Sequence, residues 1–126
     1  MKVERHPWIT RAMARAAPPG TVFLFGDNLT QRGFGGQARA LRGEPNAIGI
    51  PTKRAPGMLP GDFFTDAEYE SNCRAIDAAF ARIPIDATVV IPEKGIGTGL
   101  AQLSWRAPRT AVYLDNRLRA LGQQGA

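Results

Sequence analysis

Three glycines at alternate positions, Gly95, Gly97 and Gly99, lie in the run Pro92-Glu93-Lys94-Gly95-Ile96-Gly97-Thr98-Gly99-Leu100. Glycine lets a backbone turn sharply and approach a ligand closely. Successive N–H groups in such a turn, near the start of a helix, form a nest for phosphate oxygens. Thr98 adds a hydroxyl donor. The run is not a Walker loop, because no Gly-Lys-Ser/Thr follows, and the Rossmann spacing G-x-G-x-x-G also fails. A second run, Gly33-Phe34-Gly35-Gly36-Gln37-Ala38, follows the same logic: flexible backbone that can wrap a sugar or phosphate and opens a helix. Just before it, Asp27 and Asn28 offer an acceptor and an amide that can each bond ribose hydroxyls, although Asp-Asn is equally at home in a plain turn. The third segment is Pro51-Thr52-Lys53. A solvated or phosphate-pairing lysine is the ordinary reading there. In a cleft beside another cation its amine pKa falls, and it can act as a nucleophile. Arg54 is adjacent in sequence.

Each of these segments follows a short apolar run. Val22-Phe23-Leu24-Phe25 is apolar throughout, as expected of a strand buried on both faces, and residues 46–50 and 87–91 read the same way. Thr65-Asp66-Ala67-Glu68 has the S/T-x-x-E form of a capping box. Behind it Tyr69, Cys73, Ile76, Phe80 and Ile83 recur on one helical face. A last helix follows Pro108, with Ala111, Leu114, Leu118 and Leu121 on its inner stripe. An earlier helix is expected over about residues 7–16, and a short one after Gly36. Alternating β and α elements imply an α/β fold: parallel strands, right-handed crossovers and helices on both faces. In such a sheet ligands bind beyond the carboxyl ends of the strands. The three segments must therefore converge on one sheet edge whatever the strand order. Cys73 on its apolar face reads as core. Trp105 is expected to pack the start of the last helix, and Trp8 is either core or an aromatic lid for a base.

At 126 residues there is room for one domain, expected over residues 1–121, with GQQGA at 122–126 as a flexible tail. Hydrophobic residues at 44% and charged residues at 21% suit a folded globule rather than a disordered chain. The longest apolar runs hold a few residues, where a bilayer span needs roughly 20. The start MKVERHPW has no apolar signal-peptide core. A cytoplasmic protein without membrane association is the expectation. No Cys/His cluster suggests a metal, and no cofactor is called for. Sixteen Lys and Arg against eleven Asp and Glu give +5, which suits a phosphate-bearing partner. Only Lys2, Lys53 and Lys94 are lysines, and the basic residues are scattered. A nucleic-acid partner is compatible with the charge, but no basic–aromatic stripe marks one.

Together the segments resemble the macrodomain family, whose members bind ADP-ribose and in several branches hydrolyse ADP-ribosyl bonds. Macrodomains carry an asparagine at a strand end and, five residues on, a glycine-rich run opening a helix, matched here by Asn28 and Gly33-Phe34-Gly35-Gly36-Gln37-Ala38. A later strand leads into a glycine loop, as residues 89–100 do here. The lysine-dependent branch, which removes ADP-ribose from acidic side chains, is more similar still. Its Ile-Thr-Lys strand end looks like Ile50-Pro51-Thr52-Lys53, and its Pro-x-x-Gly-x-Gly-Leu-x-x-Leu-x-Trp pattern is close to residues 91–105, IPEKGIGTGLAQLSW. The resemblance spans residues 21–121.

The resemblance implies a three-layer α/β/α fold with a mostly parallel central sheet, and a monomer. It implies Asn28 near the distal ribose, with Gly33, Phe34, Gly35, Gly36 and Gln37 beside it. Gly95, Ile96, Gly97, Thr98, Gly99 and Leu100 would hold the diphosphate, with Thr52 alongside. Lys53 would attack the anomeric carbon. The branch's assisting aspartate is replaced by Ala101, which leaves Asp27 or Glu93 as acidic candidates. The stretch VERHPWIT lacks the family's adenine-binding aspartate, a role that stacking on Trp8 could fill. The expected partner is ADP-ribose or an ADP-ribosylated macromolecule. A non-catalytic nucleotide reader and a basic nucleic-acid-binding module are the alternatives.

Overall fold

Val22, Phe23, Leu24 and Phe25 are all buried, and they alternate between two separate cores. Val22 and Leu24 join Ile48, Ile50, Val89 and Ile91 in the larger one, while Phe23 and Phe25 join Ile9, Ala14, Leu41 and Val90 in the other. A strand with both faces covered has to read this way. The computed structural model describes residues 1–122. Its four strands, β1 (Lys2–His6), β2 (Thr21–Asn28), β3 (Ala47–Lys53) and β4 (Thr88–Pro92), form one parallel sheet in the order β1-β4-β2-β3. The helices are α1 (Arg11–Ala16), α2 (Ala38–Leu41), α3 (Tyr69–Phe80), α4 (Leu103–Arg106) and α5 (Pro108–Leu121), with 3-10 turns at Pro60–Asp62 and Asp66–Glu68.

Strand order and handedness together assign the layers. The steps from β1 to β2 and from β2 to β3 run in one direction across the sheet, and the step from β3 to β4 runs back. Right-handed crossovers then put α1 and α2 on one face and α3 on the other. The two cores agree: α1 and α2 supply Ala14, Ala38 and Leu41 to one, and α3 and α5 supply Ile76, Phe80, Leu114 and Leu118 to the other. The α/β expectation therefore holds with every strand parallel. Among the described residues no helix is long and apolar enough to cross a membrane. Except for Gly122, the expected tail lies outside the described residues.

Several local expectations are corrected. β2 and β3 extend beyond their apolar runs: Asp27 pairs with Pro51 and Asn28 with Lys53, the register shift between them leaving Thr52 unpaired in β3. The first helix starts at Arg11, not Pro7. Thr10 caps it, its hydroxyl oxygen accepting from Met13 N at 3.1 Å, and residues 7–10 stay non-helical. Trp105 does not pack the last helix: it is 66% exposed, and Leu103 and Ala107 are buried there instead. Cys73 is buried as expected.

The capping box at Thr65 does not form. Thr65 Oγ1 donates to Glu68 Oε2 at 2.6 Å, and the backbone there makes a 3-10 turn before α3 begins. Asp66 turns to α5, whose N-cap Ala107 has no polar side chain. One Asp66 oxygen accepts from Arg109 N at 2.8 Å and the other from Thr110 N and Oγ1 at 3.1 and 2.9 Å. Buried Asn72 ties the junction, donating to Thr65 O and Thr110 Oγ1. Burial alone would raise the Asp66 carboxyl, but these hydrogen bonds hold it below its ordinary value. A depressed carboxyl contributes stability that is present above the unfolded pKa and is lost as pH falls through the folded one. Asp66→Ala is expected to cost about 1–2 kcal/mol near neutral pH, with the deficit shrinking below about pH 4. Urea melts on both sides of that pH check it; a deficit that ignores pH would assign the loss to something other than the carboxylate.

Candidate functional site

The β2–β4 ladder holds only three pairs, ending at Phe23 and Val90. Beyond it β2 runs on against β3 alone. The chain leaves β2 towards α2 on one face and leaves β4 towards α5 on the other, so this gap is a topological switch point, where open α/β sheets bind ligands. A cleft of about 290 Å³ opens there. All three sequence segments reach it, as convergence on one sheet edge requires.

The two glycine runs form opposing walls. A Cβ at Gly35 would come within 3.0 Å of Leu100 Cδ1, so the runs approach each other closely. Gly97 is seated on the sheet rather than aimed into the cleft. Its φ is +83°, and a Cβ there would sit 3.1 Å from both Thr52 Cγ2 and Leu103 Cδ2. The second run is held by Gly95 N to Pro92 O, Gln102 N to Gly99 O and Leu103 N to Gly97 O, at 2.9–3.1 Å. The N–H groups of residues 96–101 find no acceptor among the described residues, and neither do those of residues 32–37. Two strings of unpaired backbone donors thus border one cleft. Backbone donors are seldom left without partners, and clustered in loops they make anion-binding concavities. Arg32, Arg42, Lys53 and Lys94 also line it, against Asp27 as its only carboxylate.

That carboxylate is engaged. Both Asp27 oxygens take Arg42 Nη groups, one at 3.2 Å, and Oδ1 also accepts from Asn28 N. Arg42 reaches on to Gly33 O at 2.7 Å and Arg32 O at 3.2 Å, and its guanidinium lies 5.7 Å from the Phe25 ring. A Cβ at Gly49 would fall 2.5 Å from Asp27 Oδ2, so the clamp needs glycine there. Asp27 thus positions the first glycine run through Arg42, and the structure does not bring its carboxylate to the Lys53 amine. Glu93 is exposed and does not line the cleft, and Ala101 does. Of the two acidic candidates, Asp27 lines the cleft but is clamped by Arg42, and Glu93 lies outside it.

Lys53, which also lines the cleft, is buried. Its Nζ donates to Gly57 O and, at 3.4 Å, to Pro56 O; it lies 3.6 Å from Met58 Sδ and 4.6 Å from the Phe63 ring centroid. Burial pushes the amine below the ordinary lysine range; nearby Asp62 opposes this and the Arg106 charge adds to it. Arg106 stacks on the same Phe63 ring at 3.6 Å. Arg106, not Arg54, is therefore the neighbouring cation, because Arg54 pairs with Glu68 at 2.6 Å.

A family profile matches residues 4–117. The chain belongs to DUF7831, a family of unknown function. No curated protein and no solved structure matches it.

The remaining expected residues divide by what their polar atoms already hold. Thr52 is buried on the cleft floor, donating to Asp27 O at 3.2 Å. Asn28 lines the cleft, but its oxygen accepts from Thr30 N and Oγ1, and its amide donates to Arg32 O at 2.6 Å. One amide hydrogen remains. Both ends of the Gln37 amide are engaged: its oxygen accepts from Ile9 N at 2.7 Å and its nitrogen donates one hydrogen to Ile9 O at 2.8 Å. It anchors the segment carrying Trp8, and one amide hydrogen remains. Phe34 is 64% exposed and is not on the cleft wall. Gly33, Gly35, Gly36, Trp8 and the run of residues 95–100 line the cleft. Arg32, Arg42, Lys94 and Arg106 were missed. Only the +5 charge hinted at them, and it named no position.

Proposed function

We propose that the cleft binds ADP-ribose or a close phosphate-bearing relative, and that Lys53 cleaves an ADP-ribosyl linkage held there. The observation that carries this reading is the pair of unpaired donor strings, residues 32–37 and 96–101, bordering a cationic cleft that also contains a buried lysine of lowered pKa. Backbone donors suit the spread negative charge of a diphosphate, and an amine whose pKa burial lowers suits attack on a sugar carbon. The parallel sheet with helices on both faces is compatible with the three-layer macrodomain-like architecture that the motifs resemble.

In this reading the neutral Nζ bonds to the anomeric carbon as the bond from that carbon to the macromolecule's oxygen breaks. The attacking nitrogen loses a proton to solvent. Water then adds at the same carbon, the C–N bond breaks, the amine regains its proton, and free ADP-ribose leaves. A carboxylate is a good leaving group without protonation, its acid having a pKa near 4. Ala101 in place of the branch's aspartate is therefore least harmful for ADP-ribose on acidic side chains. A second reading is a non-catalytic reader, favoured by the carbonyls of Pro56 and Gly57 that occupy the Lys53 amine. Calorimetric titration with ADP-ribose, AMP and ribose 5-phosphate tests what both share. Selective binding of ADP-ribose is expected; no binding of any of the three removes both readings.

A further inference from the structure

Arg106 is fastened at three points and open at its end. Its guanidinium carbon lies 3.6 Å from the centre of the buried Phe63 ring and 4.4 Å from that of the exposed Trp105 ring. Its Nε donates to Gln102 Oε1 at 2.8 Å, and Gln102 N donates in turn to Gly99 O at 3.0 Å. The side chain therefore hangs from the end of the second glycine run. Its two Nη groups have no hydrogen bond or ion pair among the described residues, and neither is buried. Arg106 is not on the cleft wall. It stands one ring away, because Lys53 lines the cleft and its amine lies 4.6 Å from the centre of the same Phe63 ring.

A guanidinium already held at Nε and against two rings loses little freedom when its fork closes on an anion. Two open Nη donors match the two oxygens of one carboxylate. The surrounding charges favour one such group over a chain of phosphates. Glu68 neutralises Arg54 at 2.6 Å, the Asp62 charge acts on the Lys53 amine, and Asp66 caps the start of α5. A polyanion laid across this surface would run against those carboxylates, whereas a lone carboxylate needs only the fork. Resting on the reading of the cleft as an ADP-ribose site, we propose that Arg106 recognises the polypeptide carrying the ADP-ribose, by binding a carboxylate side chain that flanks the modified residue. The exposed Trp105 indole beside it shields that ion pair from water and strengthens it.

Calorimetry with free ADP-ribose and two synthetic peptides tests this at one low, fixed salt concentration. Each peptide carries a single ADP-ribosyl glutamine, whose amide replaces a labile ester, flanked by glutamates in one and by glutamines in the other. Wild type should bind the glutamate-flanked peptide about tenfold more tightly. Arg106→Gln should erase that difference and leave the affinity for free ADP-ribose unchanged, which also shows the cleft to be intact. Arg106→Lys, a point charge without the fork, should restore only part of the preference. Equal binding of the two peptides by wild type overturns the proposal without recourse to any variant. A preference that survives Arg106→Gln overturns it as well, and so does tighter binding of an oligonucleotide bearing a terminal ADP-ribose than of the glutamate-flanked peptide. Each of these results leaves the site reading standing as long as free ADP-ribose binds, whereas absence of binding by free ADP-ribose and both peptides overturns both.

Discussion

Lys53→Ala is expected to leave ADP-ribose bound and to abolish its release from glutamate- or aspartate-linked protein, by at least roughly a thousandfold, the scale of losing a nucleophile. The two effects separate because the unpaired donors proposed to hold the phosphates lie on other segments. Lys53→Arg should be equally inactive, since a guanidinium does not deprotonate near neutral pH. The wild-type rate should rise with pH until the amine's folded pKa is passed, and then level off. Burial lowers that pKa, so the plateau is reached at a lower pH than a free lysine would give. Quantifying released ADP-ribose across pH for wild type and both variants checks all of this. Equal, negligible release by all three over many substrates would sink the enzyme form and leave the reader. A thermal melt guards the comparison, because Lys53 also bonds the carbonyls of Pro56 and Gly57.

In the proposed reaction those carbonyls set a step that precedes attack. As the structure stands, Nζ is held against the loop after β3, and both acceptors favour its charged form. Attack therefore requires the amine to leave Pro56 and Gly57 and give up a proton. Arg106, stacked beside it on Phe63, opposes the charge and helps that release. Asp62 pulls the other way and favours the charged amine, so burial, with Arg106 adding to it, outweighs that carboxylate.

Much of this was legible in the sequence, for reasons that depend on local spacing. Four consecutive apolar residues at 22–25 and the glycine at every second position from 95 to 99 are short-range signals, and they gave strands and a loop near their observed places. Polar residues blurred the strand ends, because a ladder continues through Asp27 and Lys53 once pairing is established on one side. What could not be read were the partners of side chains. Asp27 belongs to Arg42, Gln37 belongs to Ile9, and Asp66 caps a helix 43 residues away. Each of these pairs exists only because the order β1-β4-β2-β3 and the helix layers bring distant segments together. Residue type showed that Asp27, Asn28 and Gln37 could bond something. Only the fold showed that they bond the protein, holding the glycine runs whose backbone is left open.

That distinction also decides which glycine to change. Sequence spacing singles out Gly97, at the centre of its run, but a side chain there enters the floor of the loop. At φ +83° and 3.1 Å from Thr52 and Leu103, even Gly97→Ala is strained, by about 1–2 kcal/mol for the left-handed backbone alone. Lost binding would then report a broken loop. Gly99 lies in the same donor string with no left-handed φ, and a Cβ there meets nothing within 4 Å. Gly99→Glu should therefore fold with stability within about 0.5 kcal/mol of wild type while adding a carboxylate to the cleft wall. A unit charge about 4 Å from a phosphate oxygen repels it by about 4 kcal/mol at an effective dielectric of about 20. ADP-ribose affinity should fall by at least about a hundredfold, and Gly99→Gln, which keeps the size without the charge, should recover a large part of it. If Gly99→Glu binds like wild type at low salt, the phosphates do not sit in this loop. The donor string would then need another explanation, and Lys53 would lose the ligand that gives it a reaction.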